Sequence, residues 1–372
     1  MSDIKAKAKY IMIGGFLGAG KTTAVLRLAE HLQSRGLRIG MITNDQSFGL
    51  VDTAMLGSHG FAVEEITGGC FCCKFNSLVE ASDRLSAEAR PDVFIAEPVG
   101  SCTDLKATVD YPLRRIYGND FSVAPLSVMV DPVRASRILG LEAGASFSKK
   151  VTYIYRKQLE EADIIVVNKI DVFAADRLER LLAALKVEFP GAKVIAVSAR
   201  TDTGVEAWIT AMEATDAQTG DAMNVDYEEY ADGEALLGWL NCMARLHAPT
   251  SVDGNSIMFD LATRMQVALL TAGREIAHLK LTLTPDEGND IAVANLVRND
   301  AVPELSHRLQ EPLEAGQLIV NLRAEADPEL LRATVISVLK DLATGQSLRF
   351  ELEHLESFRP GKPTPTHRLL SV

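Results

Sequence analysis

Short apolar runs alternate with longer segments of helical periodicity over the first 215 residues of the chain. The run Asp92–Ala96 is almost continuously apolar, which is typical of a strand buried on both faces of a parallel sheet. The predicted strands of this region are Tyr10–Ile13, Leu37–Thr43, Phe61–Ile66, Asp92–Ala96, Ser122–Val130, Asp163–Val167 and Lys193–Val197. The predicted helices between them are Thr22–Arg35, Asn76–Glu88, Lys149–Ala162, Ala174–Val187 and Gly204–Ala214. Strands separated by helices indicate an α/β fold with a doubly wound, mainly parallel sheet over residues 8–215.

The pattern changes after a polar, acidic stretch, residues 216–234, which we interpret as a linker. The predicted strands beyond it are Leu236–Leu246, His278–Thr284, Ile291–Arg298, Gln317–Arg323 and Ser347–Leu352, and the predicted helices are Gly254–Thr271 and Asp327–Leu342. This order is a split βαβ arrangement with one extra strand, and it predicts a smaller α+β domain of ferredoxin-like type over residues 235–356. Residues 357–372 contain prolines and are expected to form a loose tail.

Length, composition and charge indicate a globular protein of more than one domain. At 372 residues the chain is too long for one hydrophobic core, and 47% hydrophobic with 24% charged residues is a globular composition. No apolar run approaches the ~20 residues of a membrane span, and residues 1–9 lack the apolar core of a signal peptide. The net charge of −12 argues against sequence-independent binding of nucleic acid. We therefore expect a cytoplasmic protein without a membrane or nucleic-acid partner.

A glycine-rich segment between the first predicted strand and helix has the spacing of a phosphate-binding P-loop, Gly15, four residues and then Gly20-Lys21-Thr22. Glycines let backbone N–H groups close around a polyphosphate, and the following helix points its partial positive charge at the same anion. Lys21 is expected to contact the β- and γ-phosphates during catalysis, and the Thr22 hydroxyl is expected to ligate Mg²⁺. The alternative is an ordinary glycine turn before a helix. The motif predicts a P-loop NTPase, with phosphate-binding residues Gly15, Gly18, Ala19, Gly20, Lys21, Thr22 and Thr23.

The segment Asn168-Lys169-Ile170-Asp171 follows a later predicted strand and indicates that the nucleotide is GTP. A carboxylate at Asp171 can accept from both the ring N–H and the exocyclic amine of guanine, a donor pair that adenine lacks. Ser198-Ala199, after the next strand, is where a main-chain amide is expected to meet the guanine oxygen. The alternative is a polar loop with a helix-capping aspartate.

Acidic residues beside the predicted phosphate site are candidates for Mg²⁺ and water. Glu97 ends the central predicted strand and can hold the Mg²⁺ shell or a water, while Gly100 can let a loop approach the γ-phosphate. Asp45 and Asp52 lie in the loop after the second strand, where one of them can reach Mg²⁺ or the attacking water. The alternative for Glu97 is a surface carboxylate beside a turn, and the alternative for Asp45 and Asp52 is a plain loop without a site role.

The segment Cys70-Phe71-Cys72-Cys73 holds three of the five cysteines. Thiolates spaced one and two residues apart at a loop can converge on one tetrahedral ion, and sulfur ligands favour Zn²⁺ and other thiophilic metals. Three thiolates leave a fourth position open, as an exchangeable site requires. The alternative is a set of small buried residues, because free cysteine packs well in cores.

The remaining cysteines and one histidine are weaker candidates. Cys102 lies two residues past Gly100 and is either an extra ligand or a packed thiol, while Cys242 lies in an apolar strand and is expected in the core. His59 is near the loops in sequence, but a lone histidine is more often a surface or capping residue. Crowded cysteines suit metal or redox chemistry in a reducing compartment better than a disulfide framework.

In these motifs the chain resembles the CobW-type branch of the metallocentre-assembly GTPases, relatives of the nickel-insertion GTPases UreG and HypB. The resemblance covers about residues 8–215, and the Cys-x-Cys-Cys element is its most specific part. It implies slow GTP hydrolysis coupled to loading of Zn²⁺ or Co²⁺ and delivery of the ion to a client metalloprotein. It assigns phosphate and Mg²⁺ to Lys21 and Thr22, metal to Cys70, Cys72 and Cys73, and guanine to Asn168, Lys169 and Asp171.

The chain departs from that family in one loop. CobW-like chains usually show a Gly-Glu pair after the second strand, whereas residues 44–49 contain no glutamate and Thr43-Asn44-Asp45 is closer to the UreG-like pattern. A GTP-dependent homodimer is implied by analogy alone. Two other functions stay open: a GTPase that gates loading of a corrinoid-type cofactor with a structural zinc, and a non-catalytic metal or thiol sensor.

Overall fold

The computed structural model describes residues 7–44, 56, 60–214, 221–288 and 290–371. The chain divides into two compact units, residues 1–231 together with 363–372, and residues 232–362. The division falls inside the predicted linker, 216–234, and helix α8 (Tyr227–Leu236) crosses it. Residues 363–372 group with the first unit instead of standing apart as a tail.

The first unit is built on a parallel sheet. Its strands are β1 (Ala8–Gly15), β2 (Ile39–Asn44), β3 (Ala62–Ile66), β4 (Val93–Glu97), β5 (Phe121–Val123), β6 (Ser127–Val130), β7 (Ile164–Val167) and β8 (Lys193–Ala196). The helices before α8 are α1 (Lys21–Ser34), α2 (Phe75–Glu88), α3 (Tyr111–Tyr117), α4 (Pro132–Ile138), α5 (Lys149–Glu160), α6 (Ala175–Glu188) and α7 (Val205–Ala214). The strand order is β3-β2-β4-β1-β6-β7-β8, with β5 beside the start of β1, and all these pairs are parallel. The predicted P-loop NTPase sheet is thereby confirmed.

The central strands are buried because their side chains are apolar on both faces. Every residue of β4, β6 and β7 is buried, and all of them except Glu97 and Ser127 are apolar. Against one face of the sheet, Leu28 of α1 and Trp208 of α7 join the same core cluster as Ile95 of β4. The Trp208 indole donates to Ser127 Oγ at 2.9 Å, so its one polar atom is satisfied inside the core. The carboxyl ends of the parallel strands consequently meet at one edge, where the candidate motifs lie.

The structure differs from the predicted elements between residues 104 and 138. The predicted strand Ser122–Val130 is two strands, β5 and β6, separated by a segment that contains Pro125, which cannot donate to the sheet. A π-helical turn, Lys106–Asp110, runs directly into α3, and neither was predicted. Helix α4 was also not predicted; it begins where Asp131 accepts from the backbone N–H of Arg134.

The second unit is an antiparallel sheet with two helices. Its strands are β9 (Leu237–Val252), β10 (Ile276–Pro285), β11 (Ala292–Leu296), β12 (Glu304–His307), β13 (Leu313–Glu325) and β14 (Arg349–Phe358), and its helices are α9 (Gly254–Thr271) and α10 (Pro328–Gln346). The strand order is β12-β11-β10-β13-β9-β14. The four strands β10-β13-β9-β14 have the ferredoxin-like order, and β11 and β12 extend it by two strands where one was expected. The α+β class is confirmed. Among the helices that the structure describes, none is long and apolar enough to cross a membrane.

Candidate nucleotide and metal site

The P-loop connects β1 to α1, and its glycines are required by close backbone packing. Gly15 has φ +130°, and a Cβ there would lie 2.3 Å from the carbonyl oxygen of Met129 in β6. Gly20 has φ +88°, and a Cβ there would lie 2.5 Å from Asn168 Nδ2. Lys21 is buried and its Nζ donates to the Gly15 carbonyl at 2.9 Å. The lysine side chain therefore folds back across the P-loop, the segment that the sequence predicts to bind phosphate.

Thr22 and Glu97 lie together although they are far apart in the sequence. The Thr22 hydroxyl donates to Glu97 Oε1 at 3.1 Å, across the gap between the first turn of α1 and the end of β4. A hydroxyl and a carboxylate are the hard oxygen donors that Mg²⁺ prefers beside nucleotide phosphates. The donor set therefore fits the predicted magnesium role of both residues.

The guanine motif is bonded to the P-loop. Asn168 donates through Nδ2 to the carbonyl of Ala19 at 3.0 Å, and its Oδ1 accepts from the N–H of Ala199 at 3.0 Å. Lys169 has a left-handed backbone, φ +60°, and its Nζ donates to the carbonyl of Gly18 at 2.6 Å. Two residues of the motif thus hold the P-loop and the segment after β8 in one arrangement. The sequence assigned both residues to recognition of guanine. The structure shows in addition that they hydrogen-bond the P-loop.

The carboxylate of Asp171 contacts the segment after β8. Its Oδ1 accepts from Ser198 Oγ at 2.8 Å, and Oδ2 lies 3.7 Å from Arg200 Nη1. Asp171 and Ser198, which the sequence assigned to the same base, are therefore brought into direct contact. Asp131, at the start of α4, pairs with Lys169 Nζ at 3.0 Å and was not a sequence candidate. The feature that could have identified Asp131 in the sequence is its position directly after a buried strand and before a proline.

The loop after β4 packs against the P-loop. A Cβ on Gly100 would lie 2.8 Å from Leu17 Cδ2, so glycine is needed for this close approach. Gln158 of α5 donates through Nε2 to the carbonyls of Gly100 at 3.0 Å and Cys102 at 2.8 Å. Sequence reasoning missed Gln158, since a glutamine inside a helix gives no local signal. Three other candidates, Asp45, Asp52 and His59, lie outside the described residues.

The three cysteines of the Cys-x-Cys-Cys element converge after β3. The Sγ atoms of Cys70 and Cys72 lie 2.8 Å apart, those of Cys70 and Cys73 3.2 Å, and those of Cys72 and Cys73 3.7 Å. Ligands ~2.3 Å from a tetrahedral zinc ion lie ~3.8 Å from one another. The closest pair would have to separate by only ~1 Å around such an ion. Among the described residues, this is the group of cysteine, histidine and carboxylate side chains that could share one metal ion.

A local turn shapes the cysteine loop. The N–H groups of Cys73 and Lys74 both donate to the carbonyl of Cys70, which curls the chain just before α2. Asn44, the last residue of β2, donates through Nδ2 to the carbonyls of Ile66 at 2.9 Å and Gly69 at 2.7 Å. The start of the cysteine loop is therefore tied to the end of β2, a contact that the sequence did not indicate.

The thiols differ in acidity. Hydrogen bonds from Cys102, and then from Cys72 and Cys73, hold the pKa of Cys70 well below its ordinary range. The hydrogen bond to Cys70 raises the pKa of Cys72 and of Cys73, and burial adds to the rise. Cys70 is therefore the most acidic of the three thiols. Cys102 is buried and contacts Cys70 through its side chain, while Cys242 is buried in β9 as expected.

Comparison with known proteins agrees with this geometry. Residues 9–196, about half of the chain, match the family described as CobW/HypB/UreG, nucleotide-binding domain. The zinc chaperone YeiR of Escherichia coli is 32% identical over 161 residues, which cover 43% of this chain and 46% of that protein. The zinc chaperone CobW of Sinorhizobium sp. is 28% identical over 196 residues, which cover 47% of this chain and 54% of that protein. The chain thus spans about half the length of the curated relatives it matches.

Among solved structures, HypB from Helicobacter pylori in complex with nickel covers 58% of this chain and 92% of its own, with 17% identity and a TM-score of 0.43. The sequence match is what decides the assignment, because it runs from the first residues of β1 to the end of β8 and includes the P-loop, the three cysteines and the guanine motif. On this basis the chain belongs to the CobW/HypB/UreG family.

Proposed function

We propose that this protein is a GTP-hydrolysing metallochaperone. It binds Zn²⁺ or Co²⁺ through Cys70, Cys72 and Cys73 and passes the ion to a client metalloprotein. One observation carries the proposal: the loop after β4 reaches both sites. It starts at Glu97, which accepts from Thr22 of the P-loop helix, and five residues later Cys102 contacts Cys70 of the cysteine loop. A change around the phosphates can therefore be transmitted to the thiols through one short segment.

On the nucleotide side, each candidate residue has one proposed role. Lys21 supplies positive charge to the β- and γ-phosphates, and Asp171 accepts from the guanine ring. Thr22 and Glu97 would hold Mg²⁺, which neutralises charge developing on the phosphates. Water attacks the γ-phosphorus and the bond to the β–γ bridging oxygen breaks, giving GDP and phosphate. Asp45 is the candidate for orienting that water.

Release of the metal ion depends on coupling between nucleotide binding and metal binding. In the GTP state the loop after β4 is drawn toward the phosphates and the cysteine loop closes around the ion. After hydrolysis the loop relaxes, and the ion passes to the docked client. If GTP tightens metal binding by some factor, the metal must tighten GTP binding by the same factor. Relatives named as zinc chaperones support zinc as the cargo. Free thiols at this spacing suit the reducing cytoplasm.

The deciding measurement is metal affinity in two nucleotide states. Zn²⁺ and Co²⁺ affinities are measured at fixed pH with Mg²⁺, with GDP and with a non-hydrolysable GTP analogue. We expect the analogue to raise affinity well beyond tenfold in the wild type, and Cys72→Ser to abolish tight binding. Cys242→Ser, a buried cysteine of the second unit, is the matched control and should bind metal like the wild type.

Equal affinity in both nucleotide states would contradict the chaperone cycle. It would reduce the cysteines to a static structural site and favour the GTPase that gates cofactor loading. Absence of GTP turnover, even with metal and client present, would favour a sensor. A GTP-dependent homodimer belongs to the same proposal, and sedimentation with each nucleotide tests it.

A further inference from the structure

Residues 363–371, here named the strap, lie across the cysteine loop. The strap N–H of Thr366 donates to the carbonyl of Cys72 at 2.8 Å, and the Thr366 hydroxyl reaches the carbonyl of Cys73 at 3.1 Å. The N–H of Thr364 points at the Sγ atom of Cys73, 3.3 Å away. Two of the three candidate metal-binding cysteines are therefore held by a segment about 290 residues further along the chain.

The sequence of the strap explains why it can do this. Pro363 and Pro365 alternate with Thr364 and Thr366, so within residues 363–366 the two threonines supply the only backbone N–H donors. In an extended chain, residues two apart face the same side. Both threonine N–H groups thus face the cysteine loop. Proline also restricts the free chain, which lowers the entropy lost when the strap docks.

The far end of the strap is fastened to the loop after β4. Arg368 Nε donates to Asp104 Oδ2 at 2.7 Å, and Asp104 is 1% exposed. The N–H of Leu369 donates to the carbonyl of Ala107 at 2.8 Å. Between the two attachment points, the ring of His367 packs edge-on against Phe75 at 5.1 Å. The strap consequently spans from the thiols to the same segment that begins at Glu97.

We propose that Thr364, Thr366 and Arg368 are positioning residues of the metal site, and that the strap keeps the cysteine loop closed and limits the rate at which the ion leaves. This inference rests on the proposed function. The N–H of Thr364 fixes the direction of the Cys73 sulfur, and the bonds of Thr366 hold the backbone that carries Cys72 and Cys73. The Arg368–Asp104 pair joins the strap to the loop after β4, which in the proposed function responds to the nucleotide. The nucleotide state can therefore change how firmly the strap holds the cysteine loop.

The test is the rate of Zn²⁺ transfer from the full chain to a chromophoric chelator in excess, followed by stopped flow with the GTP analogue bound. Thr366→Pro removes the N–H and hydroxyl while keeping an extended backbone, and Thr366→Val removes the hydroxyl alone. We expect Thr366→Pro to release zinc about tenfold faster, a change equivalent to about 1.4 kcal/mol. Arg368→Gln should act in the same direction, and Thr366→Val should have a smaller effect than Thr366→Pro. Leu370→Ala, whose side chain is exposed, should leave the rate unchanged.

A second readout needs no metal. In metal-free protein, Thr366→Pro and Arg368→Gln should increase the rate at which iodoacetamide alkylates Cys73, measured at a temperature at which each variant is fully folded, while Leu370→Ala should be alkylated at the wild-type rate. Wild-type zinc release and wild-type alkylation in both variants would overturn the strap proposal. Failure of the chaperone proposal looks different, because there the wild type itself shows no dependence of zinc affinity on nucleotide.

Discussion

Thr22 and Glu97 are joined by a hydrogen bond of 3.1 Å between the hydroxyl of the first and Oε1 of the second. Glu97→Gln keeps an acceptor for Thr22 but removes the negative charge. If the carboxylate supports Mg²⁺, we expect GTP turnover to fall about a hundredfold and to require more Mg²⁺, as when preorganised charge is lost from a phosphoryl-transfer site. Steady-state hydrolysis across a Mg²⁺ titration measures both effects. Glu88→Gln, at the exposed end of α2, should change neither.

Asp171 is predicted to choose the base. Asp171→Asn replaces an acceptor pair with one acceptor and one donor, so it mismatches guanine and matches the carbonyl of xanthine. We expect GTP affinity to fall at least about tenfold and XTP affinity to rise, because each polar mismatch in a base pocket costs at least about 1.4 kcal/mol. Competition binding with GTP, XTP and ATP provides the readout. If the aspartate only caps a turn, the base preference will stay at wild type while stability falls.

Asn168 braces two loops, and its removal tests that role. The side chain is 2% exposed and bonds both Ala19 and Ala199. Asn168→Ala leaves a buried carbonyl and a buried N–H without these bonds, which should cost about 1–3 kcal/mol of unfolding free energy. GTP and GDP should both bind more weakly, since the P-loop loses its support. Urea unfolding and nucleotide titration measure these effects, with exposed Asn76→Ala on α2 as the control. A variant with wild-type stability and affinity would refute the bracing role.

The sequence predicted those parts of the site that local spacing defines. Gly15, Lys21 and the cysteine element could be found because phosphate and metal chemistry require particular residue types at short, fixed separations. The parallel sheet followed from alternating strands and helices, because apolar runs of this kind have few other ways to be buried. What the sequence could not show were contacts between distant residues. Gln158 reaches Gly100 across 58 positions, and no local pattern marks either end of that bond.

The strap is the clearest example of this limit. A short segment with prolines and little periodicity predicts a loose tail. Only the folded structure shows that Thr366 hydrogen-bonds the cysteine loop. The π-helical turn Lys106–Asp110 was missed for a related reason. It depends on buried partners, among them the pair between Lys106 Nζ and Asp163 Oδ1 at 2.6 Å, which tertiary packing alone brings together.

Glu161 makes the first unit sensitive to pH. It follows α5, is buried, and accepts from Thr103 Oγ1 and the N–H of Lys106, both at 3.2 Å. Burial, and then the nearby charge of Asp104, raises the pKa of Glu161 from 4.5 to about 8. The folded state therefore keeps a proton that the unfolded chain releases above pH 4.5. Stability should fall as the pH rises from 4.5 through about 8, because over that window the folded state binds more protons than the unfolded state.

Glu161→Gln imitates the protonated carboxyl group and should remove this slope. We expect the variant to match the wild type near pH 5 and to exceed its unfolding free energy by at least about 1 kcal/mol at pH 9, since each unit of pKa shift is worth about 1.4 kcal/mol. The chain has two tryptophans, so urea unfolding of the first unit can be followed through Trp208 in a Trp239→Phe background. Glu160→Gln, the exposed neighbour, should keep the wild-type slope. If Glu161→Gln loses stability equally at pH 5 and pH 9, the carboxyl group is ionised in the fold and its charge is needed there.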